Sequence, residues 1–506
     1  MSASTFKASS DKISRLILIA GFLVFIFGIA FAWLQLRQQM SGPFRVLLIN
    51  ESSNAEAKLD AQEIRAIGLL VQDHLEHWGG HAITATDQLP KDVEPLRRHP
   101  HVLLLRLRPQ RRGDLLVLRF QWARSENISP GGNVSWTAIE PQALPPAQAF
   151  EAFVRTLPMP FKHPPSRVLL PKNDASFWSL IASMAARLGN ENLERAHQTT
   201  ETLSQLEPQC PTVWFLLSGF HYHRLINNSP TSIKDHEACE ATLLKGLALA
   251  PLHPRGTYLL AQIKIDSGNQ REALELLAKA RESQPYNPIL LTGIAYAARG
   301  AGLLPLALQA MKRRDKLTFS EYQPQAVDVT YLYAFEWARF EAGLRKQPGR
   351  LWSTSGALMF YQGYLELIRG NREAALVAFL QLRRLPKGYP LYTRLGSIFQ
   401  LILEQRTEEA REALRAYDET HSGLRVLHGE FTLRLAEAYA LLGDRVKAME
   451  VAARAFAQGF SCTQWYECSP LLESIRNLPK WKPLVQHLKE RQVLYEERFP
   501  KERFGL

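Results

Sequence analysis

The sequence predicts a mainly α-helical chain: a solenoid of helix pairs, preceded by a single transmembrane helix and a small α+β domain. Three observations carry this reading. Ala261, Gly268, Ala273 and Leu277 recur 34 residues later as Ala295, Gly302, Ala307 and Met311, and Pro251 and Pro285 differ by the same step. Leu16 to Leu36 is a run of 21 residues without a charge. Residues 44–160 lack the repeat and mix strand-like with helix-like patterns.

Within each repeated unit, small residues sit where two helices must approach closely, and a glycine separates the helical runs. Leu259, Leu260 and Ile263 mark one apolar stripe; Ala273, Leu274, Leu276, Leu277 and Ala280 mark the next. Helices of about a dozen residues are marginal alone, so stacking on neighbours must stabilise them. A 34-residue helix–turn–helix period of this kind resembles the tetratricopeptide repeat (TPR). The resemblance covers residues 174–460 in six or seven units, with Cys239 at the position of Ala273 and Ala307 as a small buried residue. Val327 to Leu344, rich in aromatics, reads as one helix outside the register.

Composition narrows the class. The 506 residues leave room for roughly three domains. The formal charge is +12, with 61 basic and 49 acidic residues, but the signs are interspersed as on solvated helices rather than blocked as on a nucleic-acid face. No nucleic-acid partner is expected. Four cysteines exclude a disulfide framework. Cys462 and Cys468 bracket one turn, where a disulfide and a reduced pair are both compatible with the spacing.

At about 1.5 Å per residue, the uncharged run spans the roughly 30 Å of a bilayer core. Arg15 and Arg37 bound it, and Trp33 suits the interface. The competing reading is a cleaved leader, for which Ala30-Phe31-Ala32 has the small-x-small form. Lys7, Lys12 and Arg15 precede the span, so residues 1–15 are expected in the cytoplasm and residues 44–506 outside it. In a bacterium this makes a single-pass inner-membrane protein facing the periplasm.

In residues 44–160, Phe44 to Asn50 and His81 to Thr86 read as strands. Asp60 to Glu63 reads as a capping box opening a helix that Gly79-Gly80 ends. His101 to Arg108 and Leu115 to Trp122 flank a turn with Gly113 and Asp114, a hairpin signal. Val134 to Ile139 reads as an edge strand and Ala147 to Leu157 as a last helix. The element order resembles the TolB amino-terminal-like domain found ahead of TPR arrays in bacterial sensor and regulator proteins. Arg106, Arg108, Arg111 and Arg112 belong to a cluster of eight arginines here. They suit an anionic partner, against the plainer reading of outward hairpin positions. Prolines between residues 158 and 171 make an extended linker (161–173).

After the last repeat, residues 461–506 resemble the segment that caps TPR arrays in bacterial regulators. The TPR resemblance implies that the first helix of each unit lines a concave, partner-binding surface. The inward positions are Tyr258, Gln262, Thr292, Tyr296, Arg299, Tyr364, Thr393, Ser397, Gln400 and Glu437. Tyr296 and Arg299 have the residue types favoured at hot spots. Changing both to alanine is expected to weaken partner capture while leaving melting nearly intact. Solvation of an inner wall is the bland alternative for each.

Catalytic patterns are missing. There is no P-loop or dinucleotide loop, and His236-Glu237-Ala238-Cys239-Glu240 lacks the second histidine of a zinc-protease helix. His221 and His223 read as a surface pair. The expectation is a membrane-anchored scaffold that binds a protein or peptide, not an enzyme, with no cofactor and no metal. The second reading is a regulator related to membrane-spanning transcription activators but lacking their DNA-binding domain.

Overall fold

The computed structural model describes residues 45–51, 58–79, 82–90, 92–97, 102–130, 132–139, 142–157, 169–227, 233–319, 329–345, 352–385, 390–421 and 429–506. The expected tail and apolar span (1–36) and residues 161–168 of the expected linker lie outside these. Among the described residues no helix is long and apolar enough to cross a membrane.

The first domain runs β1 (Arg45–Asn50), α1 (Ala61–Gly79), β2 (Ala82–Thr86), α2 (Glu94–Arg97), β3 (Val102–Arg112), β4 (Leu115–Arg124), β5 (Thr137–Ile139), β6 (Ala143–Leu144) and α3 (Pro146–Thr156). The capping box forms: the Asp60 N–H donates to Glu63 Oε2 at 2.9 Å, and the Glu63 N–H to Asp60 Oδ1 at 2.8 Å. The sheet order is β2-β1-β3-β4-β5, with β6 also on β4. β1 is parallel to β2 and β3, while β3 and β4 form the hairpin, with Arg108 opposite Arg119. One sheet face packs Leu103, Leu105, Leu107, Leu118 and Phe120 against Ile67 and Val71 of α1 and Phe150 and Phe153 of α3. The expected strand over Val134–Ile139 narrows to β5, preceded by an isolated bridge at Val134.

Helix pairs follow: α4 (Asp174–Gly189) with α5 (Leu193–Leu206), α6 (Pro211–Asn227) with α7 (Ile233–Leu249), α8 (Pro254–Asp266) with α9 (Gln270–Ser283), and α10 (Pro288–Gly300) with α11 (Leu304–Leu317). The expected helix over Val327–Leu344 is instead two short ones, α12 (Thr330–Tyr333) and α13 (Trp337–Arg345). Phe335 between them takes φ 60°, which ends a right-handed helix. The pairs resume with α14 (Trp352–Ile368) and α15 (Arg372–Arg383), α16 (Pro390–Leu403) and α17 (Thr407–His421), and α18 (Gly429–Leu441) and α19 (Arg445–Ala457). Then come α20 (Thr463–Cys468), a 3-10 turn (Pro470–Ile475) and α21 (Trp481–Arg498).

Local chemistry explains the period. Pro254 and Pro288 start the first helices of two units, where a preset φ and a missing donor cost nothing. Gly268 and Gly302 turn the chain between the helices of those units at φ 83°, a region glycine enters freely. Both also lie against the far end of the array. A Cβ on Gly268 would sit 2.9 Å from the Gln458 carbonyl oxygen, and one on Gly302 2.5 Å from that of Ser461. The Ser461 N–H donates to the Gly300 carbonyl at 2.7 Å. The array therefore curls until the chain after its last pair crosses the turns of its third and fourth pairs.

The carboxyl-terminal segment continues this return. Phe499 and Phe504 enter the core of α9, α10 and α11, and Arg281 Nε donates to the Phe504 carbonyl at 2.9 Å. The sheet domain docks on the loops between units, where Ala82 of β2 joins the same core as Phe499 and Phe504. The Phe319 N–H donates to Thr84 Oγ1 of edge strand β2 at 3.2 Å, and the Arg45 guanidinium lies 4.2 Å over the Phe319 ring. Covering β2 in this way removes an exposed sheet edge.

Candidate binding surfaces and the buried polar network

The first helices of the units bring most of the expected inward residues to the interior of the curled array. Tyr364 and Glu437 are fully buried, Gln400 and Arg299 nearly so, and Tyr258, Gln262, Thr292, Tyr296 and Ser397 are half-buried. In this arrangement a partner cannot reach Tyr364 or Glu437. They belong to a network centred on Arg434, which is 1% exposed.

Arg434 donates to Glu437 Oε2 at 3.0 Å, to the Tyr333 hydroxyl at 2.5 Å and to the Tyr364 hydroxyl. Each tyrosine passes the bond on: Tyr333 to Glu430 at 2.6 Å, and Tyr364 to Glu437 at 2.5 Å. Trp465 Nε1 and Ser469 Oγ donate to the other Glu437 oxygen at 2.9 and 3.1 Å. Arg299 closes the set on Glu430 at 3.1 Å. Two guanidinium groups thus meet two carboxylates. Burial pushes the Tyr333 and Tyr364 hydroxyls well above the ordinary range, which keeps them protonated as relays. Such a self-neutralised set leaves no charge to recruit a ligand and ties α10, α12, α14, α18 and α20 together.

Arg299 and Tyr296 were expected to tolerate a double alanine change without loss of stability. The ion pair with buried Glu430 overturns that expectation, because removing Arg299 strands a buried carboxylate. Tyr296 and Tyr222 both donate to Asp266, each at 2.9 Å. Thr292 spends its hydroxyl on the Pro288 carbonyl at 3.1 Å, and Gln400 its amide on Glu404 at 2.9 Å.

Sequence reasoning missed Tyr333, Glu430, Arg434 and Trp465. The one available signal was the i,i+3 spacing of Arg434 and Glu437 on α18, indistinguishable from a surface pair.

A second buried polar cluster joins the sheet domain to the array. Asp73 pairs with Arg255, and burial, outweighing that guanidinium, raises the Asp73 carboxyl to about 7. His74 hydrogen-bonds the Leu70 carbonyl at 2.6 Å and is lowered to about 4 by burial. His253 stacks on Phe215 at 4.7 Å and lies 5.0 Å from His77.

The arginine patch divides. Arg106 lies 2.7 Å from Glu51, to which Arg108 is also paired. Arg111 lies over Trp178 at 4.3 Å and donates to the Gly113 carbonyl. Arg112 is exposed at the tip. The cysteines are free, Cys462 buried and Cys468 exposed. Cys239 is buried and bonded to Ser218. Instead of an exposed pair with His223, His221 packs against His197 at 4.9 Å and lies 3.5 Å from Asp235.

Of the inward positions, Thr393 and Ser397 line a groove of about 320 Å³ between α16 and α17, with Arg394, Ile398, Ala413, Ala416 and Tyr417. Arg394 is exposed at its rim, while Ile398 and the Tyr417 ring are buried in its floor.

No protein-family profile matches this chain, and no curated protein is similar to it. Among solved structures it is similar to yeast Tom70, with 12% identity over 62% of this chain and 68% of that one and a TM-score of 0.33. It is also similar to human IFIT1 from a dimer with m7Gppp-AAAA, with 16% identity over 62% of this chain and 77% of that one and a TM-score of 0.31. The TPR domain of P58(IPK) matches with 13% identity over 66% of this chain and 96% of that domain, at a TM-score of 0.18.

Proposed function

We propose that this protein is an interaction scaffold that holds a segment of a partner protein in the groove between α16 and α17. The observation that carries the reading is a groove of about 320 Å³ with exposed Arg394 at its rim and an apolar floor of Ile398 and the Tyr417 ring, beside which Ser397 turns its hydroxyl onto the Thr393 carbonyl at 2.9 Å. An apolar side chain of an extended peptide suits Ile398, Ala413 and Tyr417, and a carboxylate or carbonyl suits the Arg394 guanidinium. The uncharged run Leu16–Leu36 supports attachment of this scaffold to a membrane, and the basic residues before it support placing residues 44–506 on the side away from the cytoplasm, the periplasmic side of a bacterial inner membrane.

The test is crosslinking capture from detergent-solubilised membranes with the wild-type chain and with Ser397→Trp, which fills the groove. A partner captured by the wild type should be lost at least tenfold in the variant at unchanged melting. Equal capture by both would place binding elsewhere.

A further inference from the structure

We propose that the outer face of the β3–β4 hairpin is an oxyanion site, built on Arg108 and Arg119, that takes a phosphate group. The strand register sets Arg108 directly opposite Arg119. Residues so paired have Cα atoms about 4.5–5.5 Å apart, and like charges placed there oppose strand pairing. A neutral residue at either position would relieve that repulsion.

The surroundings do not relieve it. Arg106, two residues along on the same face, donates to Gln121 at 3.2 Å and is held over the Trp136 ring at 4.3 Å. Glu51 is the one carboxylate that these three arginines contact among the described residues, and it is shared by Arg106 and Arg108. Arg119 is half-buried and makes no hydrogen bond or ion pair among the described residues. Three guanidinium groups thus face one carboxylate, a local excess of two positive charges.

Geometry then selects the ligand class. The Arg119 guanidinium and the N–H groups of Arg108 that Glu51 does not take offer planar pairs of donors, which match the several oxygens of a phosphate better than a single carboxylate does. The tip arginine Arg111 takes no part, because it is turned onto Trp178. The phosphate has two sources with the same chemistry, a phospholipid headgroup or a soluble phosphate compound.

The full chain in detergent is titrated calorimetrically with inorganic pyrophosphate in one arm and with dihexanoyl phosphatidylglycerol in the other. Heat in the first arm alone identifies a soluble phosphate, heat in the second alone a headgroup, and heat in both a site that accepts either. In each case Arg119→Gln and Arg108→Gln should weaken binding at least tenfold, and Arg112→Gln should change it less than twofold. Arg119→Gln should melt no lower than the wild type, because it removes a like-charge pair. Arg119→Lys, which keeps the charge but loses the fork, should bind between the two. Absence of binding in both arms, or equal binding by wild type and Arg119→Gln, would overturn the proposal.

Discussion

At the scale of single residues, burial decides what a polar side chain does. Glu437 is fully buried and accepts from Arg434, Tyr364, Trp465 and Ser469. Removing it leaves the Arg434 charge half-compensated and three donors without an acceptor. Breaking one partner out of a buried pair typically costs about 3–5 kcal/mol. Glu437→Ala should lose stability of that order in urea unfolding, and Glu437→Gln, which keeps the shape and one acceptor, should lose less. A loss below about 1 kcal/mol for the alanine variant, the scale of an exposed pair, would mean that the network adds nothing to folding. The same positions looked like an open binding wall in sequence, because a register argument assigns direction but not what lies opposite.

At the scale of elements, the helix pairs are punctuated by glycines whose roles differ. Gly302 and Gly370 adopt nearly the same backbone, φ 83° and 81°. A Cβ on Gly302 meets the Ser461 carbonyl oxygen at 2.5 Å, whereas one on Gly370 meets nothing within 4 Å. Gly370→Ala therefore carries only the left-handed penalty of about 1–2 kcal/mol. Gly302→Ala adds a backbone clash at the point where the array closes. Its melting temperature should fall clearly further than that of Gly370→Ala; equal shifts would show that the crossing strand yields freely. The turns were legible from the 34-residue spacing. Their second use as a docking surface was not, since Ser461 is 159 positions away from Gly302. The aromatic stretch after α11 misled for a related reason: its residues serve several helices at once, and Phe335 stacks on Trp465 at 5.3 Å.

For the whole molecule, the array is covered by the sheet domain and by the carboxyl-terminal segment, which meet in one core. The sheet domain holds one edge through β2 and through Asp73, which pairs with Arg255. Arg255→Met should leave α14 to α19 untouched and loosen that edge. Hydrogen exchange should quicken in residues 70–79 and 250–257 and stay unchanged in 430–457. Exchange that rises everywhere would mean that the domain and the array unfold as one unit.

What the sequence determined by itself is local and periodic. The spacing of small residues and turn glycines specifies paired helices, the Asp60–Glu63 box specifies where α1 starts, and Gly113-Asp114 specifies the hairpin. Each of these is encoded by neighbours in the chain. The tertiary structure alone decided which polar residues are spent on one another and which are left for a partner. Arg299 with Glu430, Tyr364 with Arg434, and Arg108 opposite Arg119 are meetings between residues 11 to 131 positions apart. Whether such a group is satisfied or available depends on the curl of the array and the register of the sheet. Both follow from packing summed over many contacts, and no single stretch of the sequence records it.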